Sequence, residues 1–315
     1  MPAPQNVALN FPLTTFAVGY RPGQFIADQV LPAIPVNDKA GTYYVFGKDN
    51  LNNEMDGPRA PKDPAVEVDY SLSSATYDIE RYDFAELLPD SEKRNFAMGE
   101  DAAEEAVVQN IMDRLLLAKE ARAAALLFST SNITNNTTLS GTDQWSDYNN
   151  SDPLSNIETG LGTTEDATAK PTNELSVTMG NAVWRKLKHH PNIVARYQYT
   201  SGGGVTLAQF AELIGIKPEN LHIGMAKYNT ADEGQTAVLG NVWGKGFLVH
   251  YTEPVPRGLR TLTLGATITF AGENGTSVRS WRSNNPAGDW HAAEMNYVQK
   301  VVAADAGYYI DAAVA

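Results

Sequence analysis

The chain has 315 residues, 43% of them in the hydrophobic set, enough for one large core or two modest ones. With no cysteine it excludes a disulfide framework, a thiolate metal site and a cysteine nucleophile, and its formal charge of −13 disfavours the basic surface of a sequence-independent duplex binder. No stretch approaches the ~18 consecutive apolar residues of a membrane span, and Met1–Asn6 shows no basic cluster ahead of an apolar core, so neither a membrane segment nor a leader is expected.

Residues 1 to about 40 hold Pro2, Pro4, Pro12, Pro22, Pro32 and Pro35 among isolated apolar residues. Each proline removes a donor, which predicts an extended arm. Its apolar island, Phe25 to Leu31, needs another surface for burial, and a neighbouring subunit is one candidate. Gly41–Gly47 reads as a strand from its β-branched and aromatic content. The turn formers of 48–64 predict a long exposed loop. Val66, Val68, Tyr70 and Leu72 then alternate with polar residues, and beyond Ser73-Ser74 the phase flips onto Tyr77 and Ile79. Two strands flanking a polar loop make a long hairpin with a bulge or bend near the serines.

The spacing predicts one helix from Pro89-Asp90-Ser91 to about Phe128, carried by Val107/Val108, Ile111/Met112 and Leu115/Leu116, then Ala118 and Arg122. About 37 residues at ~1.5 Å each reach on the order of 55 Å. The Ser-, Thr-, Asn- and Asp-rich stretch 129–174 predicts a long loop or short hairpins that need not add to the core. Helical spacing resumes from Glu174 to Lys188 through Leu175, Met179, Val183, Trp184 and Leu187, and Pro191 ends it. Thr206 is placed to cap a helix over Leu207–Ile214, with Gly215 as its stop. Short strands are predicted at Leu221–Ile223, Thr236–Leu239 and Phe247–Tyr251, then an alternating one over Leu262–Phe270. The last strands, through Glu294–Val302 and Gly307–Ile310, return to the long helix. No internal repeat supports a solenoid or propeller.

Chemistry-bearing residues do not assemble into a signature. His189, His190, His222, His250 and His291 lack the i, i+4 spacing of a helical metal pair and read as surface or satisfied core histidines. Ser201 to Gly204 precedes a helix without the Lys-Ser or Lys-Thr of a phosphate loop, so it reads as a hinge or turn. Asp101, Glu104, Glu105 and Asp113 lie on or beside the long helix and read as its solvated face rather than an acid–base pair. There is no Gly-x-Ser-x-Gly elbow. The Asn-x-Thr triplets at Asn132, Asn135, Asn136 and Asn274 follow from composition. No catalytic, cofactor-binding or metal residue is assigned, and no cofactor is expected.

An arm, a long hairpin, one long helix and then a mixed domain is an order that resembles the tailed-phage major capsid fold, an α+β class. Local runs sharpen the resemblance: Tyr20-Arg21-Pro22-Gly23-Gln24-Phe25-Ile26-Ala27-Asp28-Gln29-Val30-Leu31-Pro32 near the start, Val183-Trp184-Arg185-Lys186-Leu187-Lys188-His189-His190-Pro191-Asn192-Ile193-Val194 in the middle, and Gln299-Lys300-Val301-Val302-Ala303-Ala304-Asp305-Ala306-Gly307-Tyr308 at the close. The family is the major capsid proteins of tailed double-stranded DNA bacteriophages, whose shell fold encapsulins share.

The resemblance implies an N-terminal arm over 1–40, an extended hairpin loop over 41–85, and a peripheral domain over 86–174 with the long spine helix and the polar insert. An axial domain over 175–285 follows, and 286–315 supplies C-terminal strands returning to the peripheral domain. It also implies a homo-oligomer: pentamers and hexamers tile an icosahedral shell that encloses double-stranded DNA without sequence-specific binding. A separate scaffolding protein, a portal and room for a decoration protein go with it, as do assembly in the host cytoplasm and a final place in the virion, with no membrane. Certain relatives join Lys and Asn side chains between subunits, for which Lys48 and Lys62 would be the lysines here. Two other readings are an encapsulin-like compartment around protein cargo and, more remotely, a soluble enzyme.

Overall fold

Proline placement shapes the start of the chain in the computed structural model, which describes residues 8–20, 23, 25–45, 73–96, 99–197, 204–231, 234–253, 262–271 and 275–315. The arm is not extended throughout. After β1 (Ala8–Leu9) comes the nine-residue helix α1 (Phe11–Gly19). Pro12 falls in its first turn, where an amide donor is not needed, and the Asn10 side chain accepts from the Leu13 N–H at 3.2 Å. A short α2 (Ala27–Val30) and β2 (Ala33–Val36) follow. The apolar island needs no neighbouring subunit for burial: Ile26, Ala27, Val30 and Leu31 are all buried against this chain's own Ala123, Ala124, Leu127 and Trp243.

β3 (Ala40–Val45) pairs antiparallel with β4 (Ser73–Asp78), Ala40 opposite Asp78, so the described ends of the predicted hairpin meet. The predicted loop over 48–64, with Lys48 and Lys62, and the strand over 66–72 lie outside the described residues. Tyr77 and Ile79 are buried, as the phase flip requires. β5 (Glu80–Pro89) continues the chain into the main sheet.

The long helix is broken in two. α3 (Asp90–Asn95) and α4 (Glu100–Leu127) are separated at Gly99, whose φ of 98° is a left-handed conformation that no helix interior contains. At 28 residues, α4 is about 42 Å long. Glu100 and Asp101 in its first turn complement the helix dipole. Val108, Ile111, Met112, Leu115 and Leu116 form its buried stripe.

The polar stretch 129–174 is the largest departure from expectation. It contains β6 (Asn135–Thr138) and a 16-residue helix, α5 (Pro153–Thr168). The Asp152 side chain accepts from the Ser155 N–H, and Pro153 sits in the first turn. Leu139, Trp145, Leu154, Ile157 and Leu161 are buried in the largest core cluster, so five apolar residues outweigh their polar surroundings. Glu174 to Lys188 also differs: β7 (Ser176–Gly180) precedes α6 (Asn181–Leu187). All five β7 residues are buried, and a strand covered on both faces has no alternation to tell it from a helix.

The remaining elements are α7 (Pro191–Val194), α8 (Leu207–Leu213), β8 (Leu221–Gly224), β9 (Lys227–Asn229), β10 (Leu239–Asn241), β11 (Phe247–His250), β12 (Gly265–Phe270), β13 (Thr276–Asn284), β14 (Ala287–Val301) and β15 (Gly307–Asp311). α8 has the expected cap: Thr206 and Gln209 form a reciprocal capping box. Pro191 starts α7 as well as ending the preceding run, and the strand predicted at Thr236–Leu239 begins only at Leu239.

Two sheets organise these pieces. The first has six strands in the order β1-β13-β14-β12-β2, with β5 also on β14. α1 and α4 cover it, through Leu13, Ala17, Ile111, Met112 and Leu115 against Val278, Ala293, Met295 and Tyr297. The second has five strands in the order β6-β15-β11-β7-β8, with α5, α6 and α8 contributing to its core. A separate cluster joins the two bodies, in which Ile26, Val30, Leu31, Ala123 and Leu127 meet Trp243, Leu248 of β11 and Tyr309 of β15. Ile157→Ala should therefore cost about 2–5 kcal/mol through the cavity it leaves. Urea denaturation of the subunit measures it, and a cost near zero would return α5 to the surface.

Candidate functional site

Outside the apolar clusters, the most constrained polar group is Glu120, on α4 and fully buried. Its two carboxylate oxygens accept three N–H donors. The Ile26 amide donates at 3.0 Å to Oε1 and 3.2 Å to Oε2, and the Ala27 amide at 2.8 Å to Oε2. The Trp243 indole donates to Oε1 at 2.5 Å. Burial pushes the Glu120 carboxyl up from its ordinary range, and the bonds from Ile26, Trp243 and Ala27 oppose that shift. Beside it, the buried Lys119 ammonium pairs with Asp28 and lies 5.4 Å from the centre of the Tyr297 ring. Arg122, one turn from Ala118, donates to the Tyr297 hydroxyl at 2.7 Å and stacks 3.6 Å from the Tyr82 ring centre. The arm is thus fastened to α4 by a carboxylate and an ammonium on adjacent residues.

The acidic residues named from sequence divide. Asp101 and Glu105 are exposed. Glu104 instead pairs with Lys93 at 2.6 Å, in a network that continues through Asp289 to Arg282 and Asp90 and ties α3 to α4 and to the β13–β14 hairpin. The Arg282 guanidinium holds the Asp90 carboxyl below its usual range. Asp113 accepts from the Tyr20 hydroxyl at 2.9 Å. No acid–base pair results from these four.

The histidines are likewise dispersed. His189 is exposed. His190 is buried, its Nδ1 accepting from the Asn192 N–H at 3.3 Å, which leaves Nε2 to donate to Ser151 at 3.1 Å. His250 is fully buried between the hydroxyls of Thr178 at 2.9 Å and Thr252 at 2.8 Å. Burial, with His222 nearby, pushes its imidazole down to about 3, and burial pushes His222 down to about 4. The His291 Nδ1 is 3.0 Å from the Ser280 hydroxyl. Among the described residues no group of three or more His, Cys, Asp or Glu side chains is placed to hold a metal, and no helix is long and apolar enough to cross a membrane. Of the Ser201–Gly204 turn, only Gly204 lies within the described residues.

What the chain does present is surface. Met225, Tyr228, Val238 and Leu239, in and beside β9 and β10, are 42–66% exposed, and Phe11 is 65% exposed. β9 and β10 pair with each other and with no other strand among the described residues.

Comparison with known proteins gives these surfaces a context. No protein-family model matches the chain. A protein named major capsid protein, from Pseudomonas phage JBD67, is 28% identical over 307 residues, spanning 96% of each chain. Among solved structures, a phage-related protein of Bordetella bronchiseptica RB50 superposes with a TM-score of 0.80 at 21% identity, covering 98% of each chain. The capsid structure of the cyanophage P-SCSP1u superposes with a TM-score of 0.58 at 11% identity, covering 93% of this chain and 89% of that one. The fold is the α+β capsid fold of tailed phages. Within that class, the chain resembles the phage major capsid proteins along almost its whole length.

Removing the Glu120 carboxylate in Glu120→Ala strands three buried donors and should cost about 3–5 kcal/mol, read from a denaturant midpoint. Acid sensitivity follows from His250. Its folded-state pKa lies below the ordinary 6.5, so its stabilisation is complete above pH 6.5 and is lost as pH falls from there toward 3. Subunit stability should decline through that window, and His250→Gln should flatten the decline, as followed by urea midpoints against pH.

Proposed function

We propose that this chain is the building block of a closed icosahedral shell, in which copies associate as pentamers and hexamers around double-stranded DNA. The observation that carries this reading is coverage. Similarity to the Pseudomonas phage major capsid protein runs over 96% of both chains, so the arm, α4 and both sheets are included together rather than one shared domain. The physical chemistry agrees with it. The apolar β9–β10 ribbon and Phe11 face solvent in the isolated subunit, as contact surfaces between copies do.

In this reading residues 1–40 are the arm, 41–85 the extended loop, the first sheet with α4 the peripheral part, and the second sheet with α5, α6 and α8 the axial part, so that β12 and β13 leave the expected axial span 175–285 and β6, α5 and β15 leave the expected peripheral spans 86–174 and 286–315. The DNA is enclosed rather than read, in keeping with a charge of −13. Assembly takes place in the host cytoplasm with a separate scaffolding protein and a portal, leaves room for a decoration protein, and ends in the virion.

Negative-stain electron microscopy with size-exclusion chromatography tests the reading, on the purified chain alone and co-expressed with a candidate scaffolding protein. Closed shells, sheets, or free pentamers and hexamers are expected. A compact monomer at every salt and protein concentration would refute it. Particles from producing cells should hold nuclease-protected double-stranded DNA, and protein cargo in its place would turn the reading toward a cellular compartment.

A further inference from the structure

Trp243 sits between β10 and β11, fully buried, and meets several parts of the chain. Its indole N–H reaches Glu120, and its ring packs edge-on against Phe128, just beyond α4, with centroids 5.1 Å apart. On its other side it lies against the C-terminal ends of β7 and β8 so closely that neither end has room for a side chain. A Cβ on Gly224 would fall 2.1 Å from the Trp243 ring, and one on Gly180 2.7 Å from the Trp243 carbonyl oxygen. The preceding amide, Val242 N–H, donates to the Ala226 carbonyl at 2.9 Å, closing the base of the β9–β10 ribbon. In and beside that ribbon lie four of the nine large hydrophobic side chains exposed among the described residues. A two-stranded ribbon is marginal in water on its own, so its base has to set its direction.

Glu120 therefore holds two things at once: the arm, through Ile26 and Ala27, and the base of the ribbon, through Trp243. We propose that Glu120 and Trp243 form a coupling device, in which seating residues 25–31 on α4 fixes the β9–β10 ribbon in the direction it presents. The physical reason is the cost of a buried carboxylate, which needs its donors. When the arm lifts, two of the three donors leave together, the carboxylate is drawn toward water, and its hold on the indole goes with it. The use of the device rests on the shell reading: a seated arm gives the next copy an ordered ribbon, and a lifted arm a loose one.

Hydrogen exchange followed by mass spectrometry on the unassembled full chain tests the coupling. Glu120→Gln keeps the shape but turns an amide donor toward N–H donors. Exchange in residues 25–31 and in β9 and β10 should accelerate together, by about tenfold or more, while α5 keeps its rate. Ile157→Ala should accelerate α5 and leave the arm and the ribbon unchanged. Acceleration in only the arm or only the ribbon of Glu120→Gln overturns the proposal. Should that variant not fold, Trp243→Phe keeps a ring and loses the N–H. Faster exchange at 25–31 is then expected, and an unchanged arm overturns the coupling. The readout does not depend on assembly, so coupled exchange in a chain that forms no particles would uphold the device and remove only its use in a shell.

Discussion

A carboxylate taken out of water must be matched by donors, and the fold satisfies Glu120 only by bringing three distant stretches of chain to one point. Desolvating such a group costs several kcal/mol, and hydrogen bonds to a charged partner return about 1.5–3 kcal/mol each, so the two sides are of similar size. The anchor's value is then less in net stability than in position. The arm amides, α4 and the Trp243 indole have to arrive in one register, and a slip of a residue in the arm would strand the charge.

Apolar burial works in the same place. Ile26, Val30 and Leu31 of the arm, Ala123 and Leu127 of α4, Trp243, and Leu248 and Tyr309 of the second sheet form one cluster. α4 packs on the first sheet along most of its length and reaches the second body at its C-terminal end, so it is the element both bodies share. The arm closes over that junction, so for residues 25–31 the arm belongs to the subunit's own core before any neighbour is considered.

Much of this was legible in sequence where local chemistry and burial agree. The Thr206–Gln209 capping box and the phase flip onto Tyr77 and Ile79 report one-sided burial directly. Composition misled where few residues do the packing. Trp145 and the i, i+3, i+7 spacing of Leu154, Ile157 and Leu161, preceded by Asp152-Pro153 as cap and first turn, were signals for a buried helix inside a polar stretch. For β7, the β-branched pair Val177-Thr178 ahead of Gly180 was the cue against a helix. The break at Gly99 is a backbone conformation that residue type permits without dictating. Glu120 hides in the charged run Lys119 to Arg122. Its only sign is its place on the stripe of Met112, Leu116, Ala123 and Leu127, where an acidic residue has no solvent to face.

The resemblance to phage capsid proteins was readable from the order of the pieces and from three local runs, because a shell subunit's function lies in shape and surface rather than in a few reactive side chains. A cryo-electron microscopy map of the assembled particle tests that account most directly. It predicts residues 25–31 seated on their own α4 at Glu120 in every subunit, with the β9–β10 ribbon buried against a neighbouring copy. Arms seated on a neighbour's α4, or ribbons exposed to solvent at every lattice position, would contradict it.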